Sequence, residues 1–357
     1  MNQHPYTVAL IVPTGVGASI GGYAGDALPV ARAIAQTCDR LITHPNVLNG
    51  AQLYWNLPNT FYVEGYGLDK FASGDWGLQP VHQNRVGLIL DKAIEPDLRL
   101  RHLQAADAAR ATLGLDLTDY VLTDAPLQVK LQTAASGASW GTIANPDSLL
   151  RAAETLITQA RAEAIAVVAR FPDDNDSEVL QAYRHGQGVD PLAGAEAVIS
   201  HLIVRTFQIP CAHAPALMPL PLDSDLSPRS AAEELGYTFL PCVLVGLSRA
   251  PQFVVVKPKN PLTPPSSDEI WAREMDAVVI PATACGGSAL LSLSQSKAKI
   301  IAVEDNITSM QVTPELLGIK AMRVNSYLEA LGCLVAHRAG VSAEALSPSL
   351  SSLRCLF

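Results

Sequence analysis

With 357 residues, 48% hydrophobic and 17% charged, the chain can hold two α/β domains or one large one, and its core needs neither metals nor disulfides. A formal charge of −9 argues against a duplex nucleic-acid binder, which needs clustered Lys and Arg. The six cysteines (Cys38, Cys211, Cys242, Cys285, Cys333 and Cys355) form no C-x-x-C pair and sit mostly in apolar runs, as buried thiols of a reducing compartment do.

The N-terminus has no basic segment before its first apolar run, and no run is long enough to span a bilayer. A cytoplasmic protein without membrane or nucleic-acid partners is expected. Residues 7–12 read as a buried strand. The loop behind it carries Gly15, Gly17, Gly21, Gly22 and Gly25. Five glycines in eleven residues cost backbone entropy, which points to a use beyond chain reversal. Asp26 reads as an N-cap and residues 27–37 as a helix with Pro29 in its first turn. Residues 40–43 form the next strand, with His44, Pro45 and Asn46 at its tip.

Residues 49–84 show little periodicity and hold Tyr54, Trp55, Phe61, Tyr62 and Trp76. A stretch of that kind covers a site or supports an interface. Strands are expected over 85–91, 120–123, 127–133, 164–170, 210–213 and 240–247. Helices are expected over 97–113, 145–162 and 190–207, the last two opened by Asn145-Pro146-Asp147 and Asp190-Pro191. Asp173, Asp174 and Asp176 lack the ligand spacing of a calcium loop and read as solvated acids. Residues 249–267 are the expected linker or lid.

Residues 277–306 repeat the opening pattern. A Val- and Ile-rich run is closed by Pro281. A small-residue turn follows, Cys285, Gly286, Gly287 and Ser288, then a short helix, a second strand, and Glu304, Asp305 and Asn306 at that strand's tip. The spacing is not G-x-G-x-x-G. Even so, open α/β sheets bind ligands outside the carboxyl ends of their strands, and both turns belong there. The alternation predicts an α/β fold with mostly parallel, Rossmann-like sheets in two lobes, residues 1–144 and 145–357.

Backbone N–H groups of the two turns are the expected contacts of an anionic group. The ligand-binding candidates are Thr14, Gly15, Gly17, Ser19, Gly21, Gly22 and Asp26 in the first turn, with Asn46 on its rim. In the second unit they are Gly286, Gly287 and Ser288, with Glu304, Asp305 and Asn306 for hydroxyls. His44 and His213 are strand-end acid–base candidates, and Cys285, before a helix start, is a nucleophile candidate. Cys211-x-His213 has too few ligands for zinc, so no metal is expected. The glycine loop lacks a following Gly-Lys-Ser/Thr, which argues against a P-loop NTPase. Ser19 and Ser139 each sit in G-x-S-x-G, but neither leads directly into a helix as a nucleophile elbow does.

The segments VPTGVGASIGGYAGDA, THPNVLNGA, CAHAP and PATACGGSALLSLSQSKAKIIAVEDN together resemble an uncharacterised family of cyanobacterial and plastid proteins, a domain of unknown function. The resemblance spans nearly the whole chain and implies a soluble cyanobacterial-type protein. It supplies no activity, cofactor or catalytic residue. The residues themselves suggest a soluble enzyme that binds a phosphorylated or nucleotide-like small molecule, with group transfer ahead of redox chemistry. The alternative is a non-catalytic metabolite-binding or assembly protein. The expected partner is a small anionic metabolite or nucleotide, with homo-oligomerisation left open.

Overall fold

The computed structural model describes residues 4–49, 55–173, 177–234, 239–255, 268–350 and 352–355. Asp174 and Asp176, Tyr54 and most of the expected linker therefore lie outside the described residues.

The chain starts as β1 (Thr7–Leu10), α1 (Leu28–Ala35), β2 (Arg40–Thr43), α2 (Pro45–Leu48), β3 (Thr60–Tyr62) and α3 (Gly65–Ala72). It then leaves through β4 (Trp76–Gln79) to build a second sheet. That excursion holds β5 (Val86–Leu90), α4 (Pro96–Leu113), β6 (Leu117–Leu122), the hairpin β7 (Val129–Thr133) and β8 (Ser139–Ile143), α5 (Pro146–Gln159) and β9 (Ala164–Arg170). It continues with α6 (Glu178–Arg184), α7 (Ala193–Phe207), β10 (Cys211–Ala216), α8 (Pro228–Glu234) and α9 (Phe239–Ser248). The return is β11 (Gln252–Val255), antiparallel to β4, so the two crossings between sheets are tied to each other. β12 (Met275–Pro281), α10 (Ser288–Leu293), β13 (Lys299–Val303), β14 (Ala321–Val324) and α11 (Tyr327–Arg338) complete the first sheet.

The six-stranded sheet has the order β14-β13-β12-β1-β2-β3, with every neighbouring pair parallel. Counted within the sheet this is 3-2-1-4-5-6, the doubly wound dinucleotide-fold order, and its switch point lies between β1 and β12. The second sheet, β10-β9-β5-β6, is also parallel throughout. The α/β expectation is met. The lobes, however, do not divide at 144/145: the six-stranded sheet takes its strands from both ends of the chain, and the four-stranded sheet is inserted between them.

Alternation explains the apolar strands. Val8 and Leu10 of β1 enter one core while Ala9 enters the core on the opposite face, so each strand is buried on both sides. Each such Val, Leu or Ile contributes roughly 1.5–3 kcal/mol by leaving water. The first core continues into Leu88, Val168 and Ala214 of the second sheet through Val243, Leu244 and Leu247 of α9. Residues 240–247, expected as a strand, are thus a helix covered on several sides. An apolar run of that length suits either element, and Pro241 is tolerated in a first helical turn.

Candidate functional site

A cleft of about 410 Å³ opens at the carboxyl ends of β1, β2 and β12, against α7 and β10 of the inserted lobe. Its position is the one the strand order dictates: connections from β1 and β12 diverge there. The segments that follow β1, β2 and β12 contribute Ile11, Thr14, His44, Asn46, Gly287 and Ser288, and α3 with its N-cap contributes Glu64, Leu68 and Asp69. Across from them stand Asp190, Glu196, Ser200, His201, His213 and Glu233.

His44 is 7% exposed, and the Val12 N–H donates to its Nε2 at 3.0 Å. A backbone amide only donates, so Nε2 carries the lone pair and the neutral ring holds its proton on Nδ1. Burial depresses the pKa to about 4, which keeps the ring neutral near pH 7. His44 therefore offers an N–H to the cleft, and among the described residues that N–H has no partner. The acid–base candidate becomes a neutral hydrogen-bond donor.

His213 is placed differently. Its Nδ1 lies 3.3 Å from Ser200 Oγ and its Nε2 3.5 Å from Glu196 Oε2. Both contacts exceed an optimal hydrogen bond, so neither locks the proton. The three form a serine–histidine–carboxylate string. Ser200, though, is 2% exposed in the middle of α7, and its hydroxyl is shared with Ala197 O and Glu64 Oε1, each at 3.3 Å. It supports His213 rather than facing a ligand as a nucleophile.

Glu64 is the N-cap of α3, where Oε2 accepts from the Tyr66 and Gly67 amides at 2.8 and 3.2 Å. Its other oxygen lies 2.9 Å from His201 Nε2. Burial opposes charge on His201, and the Glu64 carboxylate outweighs it, so the pKa rises. Asp69 accepts from the Ala289 amide at the start of α10, and burial raises its pKa. Glu233 accepts from Tyr183 Oη at 2.7 Å and from the Ala24 amide at 3.2 Å. Burial pushes its pKa up to about 7, with Glu196 and Asp26 adding repulsion. Asp190, raised first by burial and then by Glu233 and Glu196, accepts from the Leu192 amide at 2.8 Å.

Of the sequence-derived candidates, Thr14, His44, Asn46, His213, Gly287 and Ser288 meet in this cleft. The others do not line it. Cys285 is buried, its thiol donates to Pro281 O and Ala282 O, and burial pushes its pKa up to about 11, the reverse of an activated thiol. A Cβ on Gly15 would meet Ser139 Oγ at 2.7 Å, one on Gly17 the Gly188 carbonyl at 2.7 Å, one on Gly21 Val12 at 2.6 Å, and one on Gly22 the Ala18 carbonyl at 2.2 Å. Gly286 packs against Val312. Ser19 donates to Ile307 O, and Ser139 accepts from the Gly194 amide, so both G-x-S-x-G serines serve the fold.

Asp26 is not the helix cap; Ala27 stands there. Asp26 instead accepts from the Gly21 amide at 2.5 Å and pairs with Arg229 at 3.0 Å. Asn306 is buried, accepting from the Ile20 amide and donating to the Ile20 carbonyl and to Tyr327 Oη. Glu304 pairs with Arg323, which also holds Glu315, and Asp305 is exposed. Asn306 thus grips the protein's own backbone and Glu304 an arginine of the neighbouring strand.

Sequence reading missed the acidic wall. Glu196 and Ser200 are four apart on α7, polar positions beside buried Ala195, Ile199 and Ile203, and that interruption of an apolar face was the available signal. Glu64 ahead of Gly65 was readable as a helix cap, but its second role depends on α7, more than a hundred residues away.

The family profile described as "Protein of unknown function (DUF3326)" matches residues 7–347. An uncharacterized lipoprotein of Synechococcus sp. is 61% identical over 342 residues, covering 96% of this chain and 93% of that protein. No solved structure matches. No helix among the described residues is long and apolar enough to cross a membrane.

Proposed function

This chain belongs to the DUF3326 family of proteins of unknown function, and from its cleft we propose an enzyme that performs proton-transfer chemistry on a small molecule held at the β1/β12 switch point. His213, with Glu196 behind it, carries the exchangeable proton; Glu196 balances the charge when the ring is protonated. His44 polarises an oxygen of the bound molecule through Nδ1–H, as a neutral imidazole can without releasing a proton. The observation that carries the reading is that two histidines line one cleft, His44 accepting from the Val12 amide and His213 standing beside Glu196. Group transfer fits this pairing, since it needs a base for the attacking group and a donor for a developing negative charge.

The lining favours a different ligand from the phosphorylated or nucleotide-like one expected from sequence. It holds Glu64, Asp69, Asp190, Glu196 and Glu233, and no Lys or Arg among the described residues. Phosphate sites usually add such a cation to backbone amides.

The test is complementation. A strain deleted for the gene is profiled for metabolites and supplied with His213→Gln or His44→Gln. Loss of His213 should lower the rate about a hundredfold or more, so the accumulated substrate should persist while the variant stays folded. Full rescue by both variants would reject catalysis and favour a metabolite-binding protein. We place the enzyme in the cytoplasm, in keeping with the burial of Cys38, Cys211, Cys242 and Cys285. Recovery of the chain with membranes on fractionation would overturn that location.

A further inference from the structure

We infer that the cleft takes a cationic ligand, a small aliphatic amine or guanidine whose charge sits against Asp190, Glu196 and Glu233. The inference rests on the cleft being the functional site and adds the substrate class.

Three observations lead to it. First, among the described residues no Lys or Arg lines the cleft beside its acids. Arg229 is engaged by Asp26, and Arg184 by Glu234. Glu64 faces His201, Glu196 has His213 at 3.5 Å, and Asp190 and Glu233 are held by amides and a tyrosine hydroxyl. Burial first, and then Glu233 and Glu196, disfavour charge on Asp190, and burial with Glu196 and Asp26 disfavours it on Glu233. A cation placed among them relieves that repulsion.

Second, the cleft offers a donor from which no group among the described residues accepts. The His44 ring is 93% covered and its Nδ1–H faces the cavity without a partner among the described residues. A ligand oxygen, or an amine nitrogen that has given up its proton, can accept there.

Third, the space between these ends suits an organic stem rather than a bare ion. Ile11, just past β1, and Ile280 of β12, with Leu68 of α3 and Leu290 of α10, give the cleft an apolar part. Among the described residues no group of three or more His, Cys, Asp or Glu converges as a metal site does. About 410 Å³ accommodates a molecule of several carbons.

The experiment uses the full chain and three probes of one span and different charge: 1,6-diaminohexane, 1,6-hexanediol and adipate. Thermal shift and calorimetry report binding. The diamine should bind saturably and more weakly as salt rises. Glu196→Gln and Glu233→Gln should each weaken it about tenfold or more. Both substitutions keep an oxygen that can accept the native hydrogen bonds, and circular dichroism confirms the fold. Should Glu233→Gln disturb the Ala24 and Tyr183 contacts, Glu196→Gln alone still decides the matter.

Absence of saturable diamine binding at millimolar concentration overturns the inference, as does diamine binding indifferent to both substitutions. Adipate or hexanediol binding that His213→Gln abolishes would also overturn it while leaving the cleft as the functional site. If no probe's binding responds to any cleft substitution, the placement of the site falls too.

Discussion

Two glycine turns leave adjacent parallel strands at one sheet edge, residues 13–27 after β1 and residues 282–287 after β12, yet their interiors differ. The first is filled by protein. Gly17, at φ +59°, lies against the Gly188 carbonyl, and Gly22 against that of Ala18. The second is open at its tip: a Cβ on Gly287 would meet nothing within 4 Å, and this residue lines the cleft. Glycine density therefore marks close approach of backbone in both turns, but in the first the approaching group is the chain itself.

The largest test of this contrast is a pair of valine substitutions. Gly22→Val places a methine 2.2 Å from a backbone oxygen that cannot move independently, and should cost about 3 kcal/mol or more in denaturant unfolding. Gly287→Val enters a backbone at φ −72° and ψ 147°, which any L-residue adopts, with open space around it. Its stability should stay within about 0.5 kcal/mol of the parent. The side chain would intrude on the cleft, so the diamine-induced thermal shift should be lost. Equal destabilisation by both would erase the distinction between filled and open turns.

Titration sharpens the comparison, because the first turn is clamped at both ends by ionisable groups. His44 holds the Val12 amide at its entry, and Glu233 the Ala24 amide near its exit. The His44 ring must be neutral to accept, and its folded pKa of about 4 lies below the ordinary 6.5. Its contribution is present above pH 6.5 and is lost as pH falls toward 4, by up to about 3 kcal/mol. Glu233 runs the other way. Raised from 4.5 to about 7, it favours the folded state when protonated, and that contribution is lost as pH rises through 7. Asp190, raised by burial and by the same neighbours, adds to this slope.

Between pH 4.5 and 6.5 the two contributions oppose. Unfolding across that window should show stability rising with pH in Glu233→Gln and falling with pH in His44→Gln. If both variants keep the parent slope, the clamps do not titrate as described.

The contrast also explains what was legible in the sequence. Strands β1, β2, β5, β9, β12 and β13 were readable because burial on both faces leaves unbroken apolar runs. Their order was not, since nothing local says that β12 returns to pair with β1 after the inserted lobe. The edge of the sheet where a ligand would bind followed from the strand–turn–helix pattern, and Thr14, His44, Asn46, Gly287 and Ser288 do gather there. Asp26 and Asn306 look the same in sequence whether they hold a ligand or a loop; only packing reveals that the Gly21 and Ile20 amides claim them. The acidic wall was hidden for the opposite reason. Glu64, Glu196 and Glu233 come from three helices or helix caps, distant in sequence, and each looks like an ordinary helix carboxylate until the lobes are brought together.

The smallest expected effect concerns Cys285, which begins the open turn yet faces away from the cleft. Its thiol is fully buried and makes two long contacts to carbonyls, 3.6 Å to Pro281 O and 3.7 Å to Ala282 O. Removing the sulfur forfeits those weak bonds and one small buried atom, so Cys285→Ala should cost about 1 kcal/mol. The diamine shift should be unchanged, because Gly287 and Ser288, not Cys285, line the cavity. Thiol labelling gives an independent reading. Burial that lifts the pKa to about 11 leaves almost no thiolate at neutral pH, so iodoacetamide should modify exposed Cys355 first and half-buried Cys333 next. Cys285 should react only after unfolding, together with Cys38, Cys211 and Cys242. Rapid native labelling of Cys285, with loss of the diamine shift on labelling, would mean that the thiol reaches the cleft. The second turn would then supply a nucleophile as well as space.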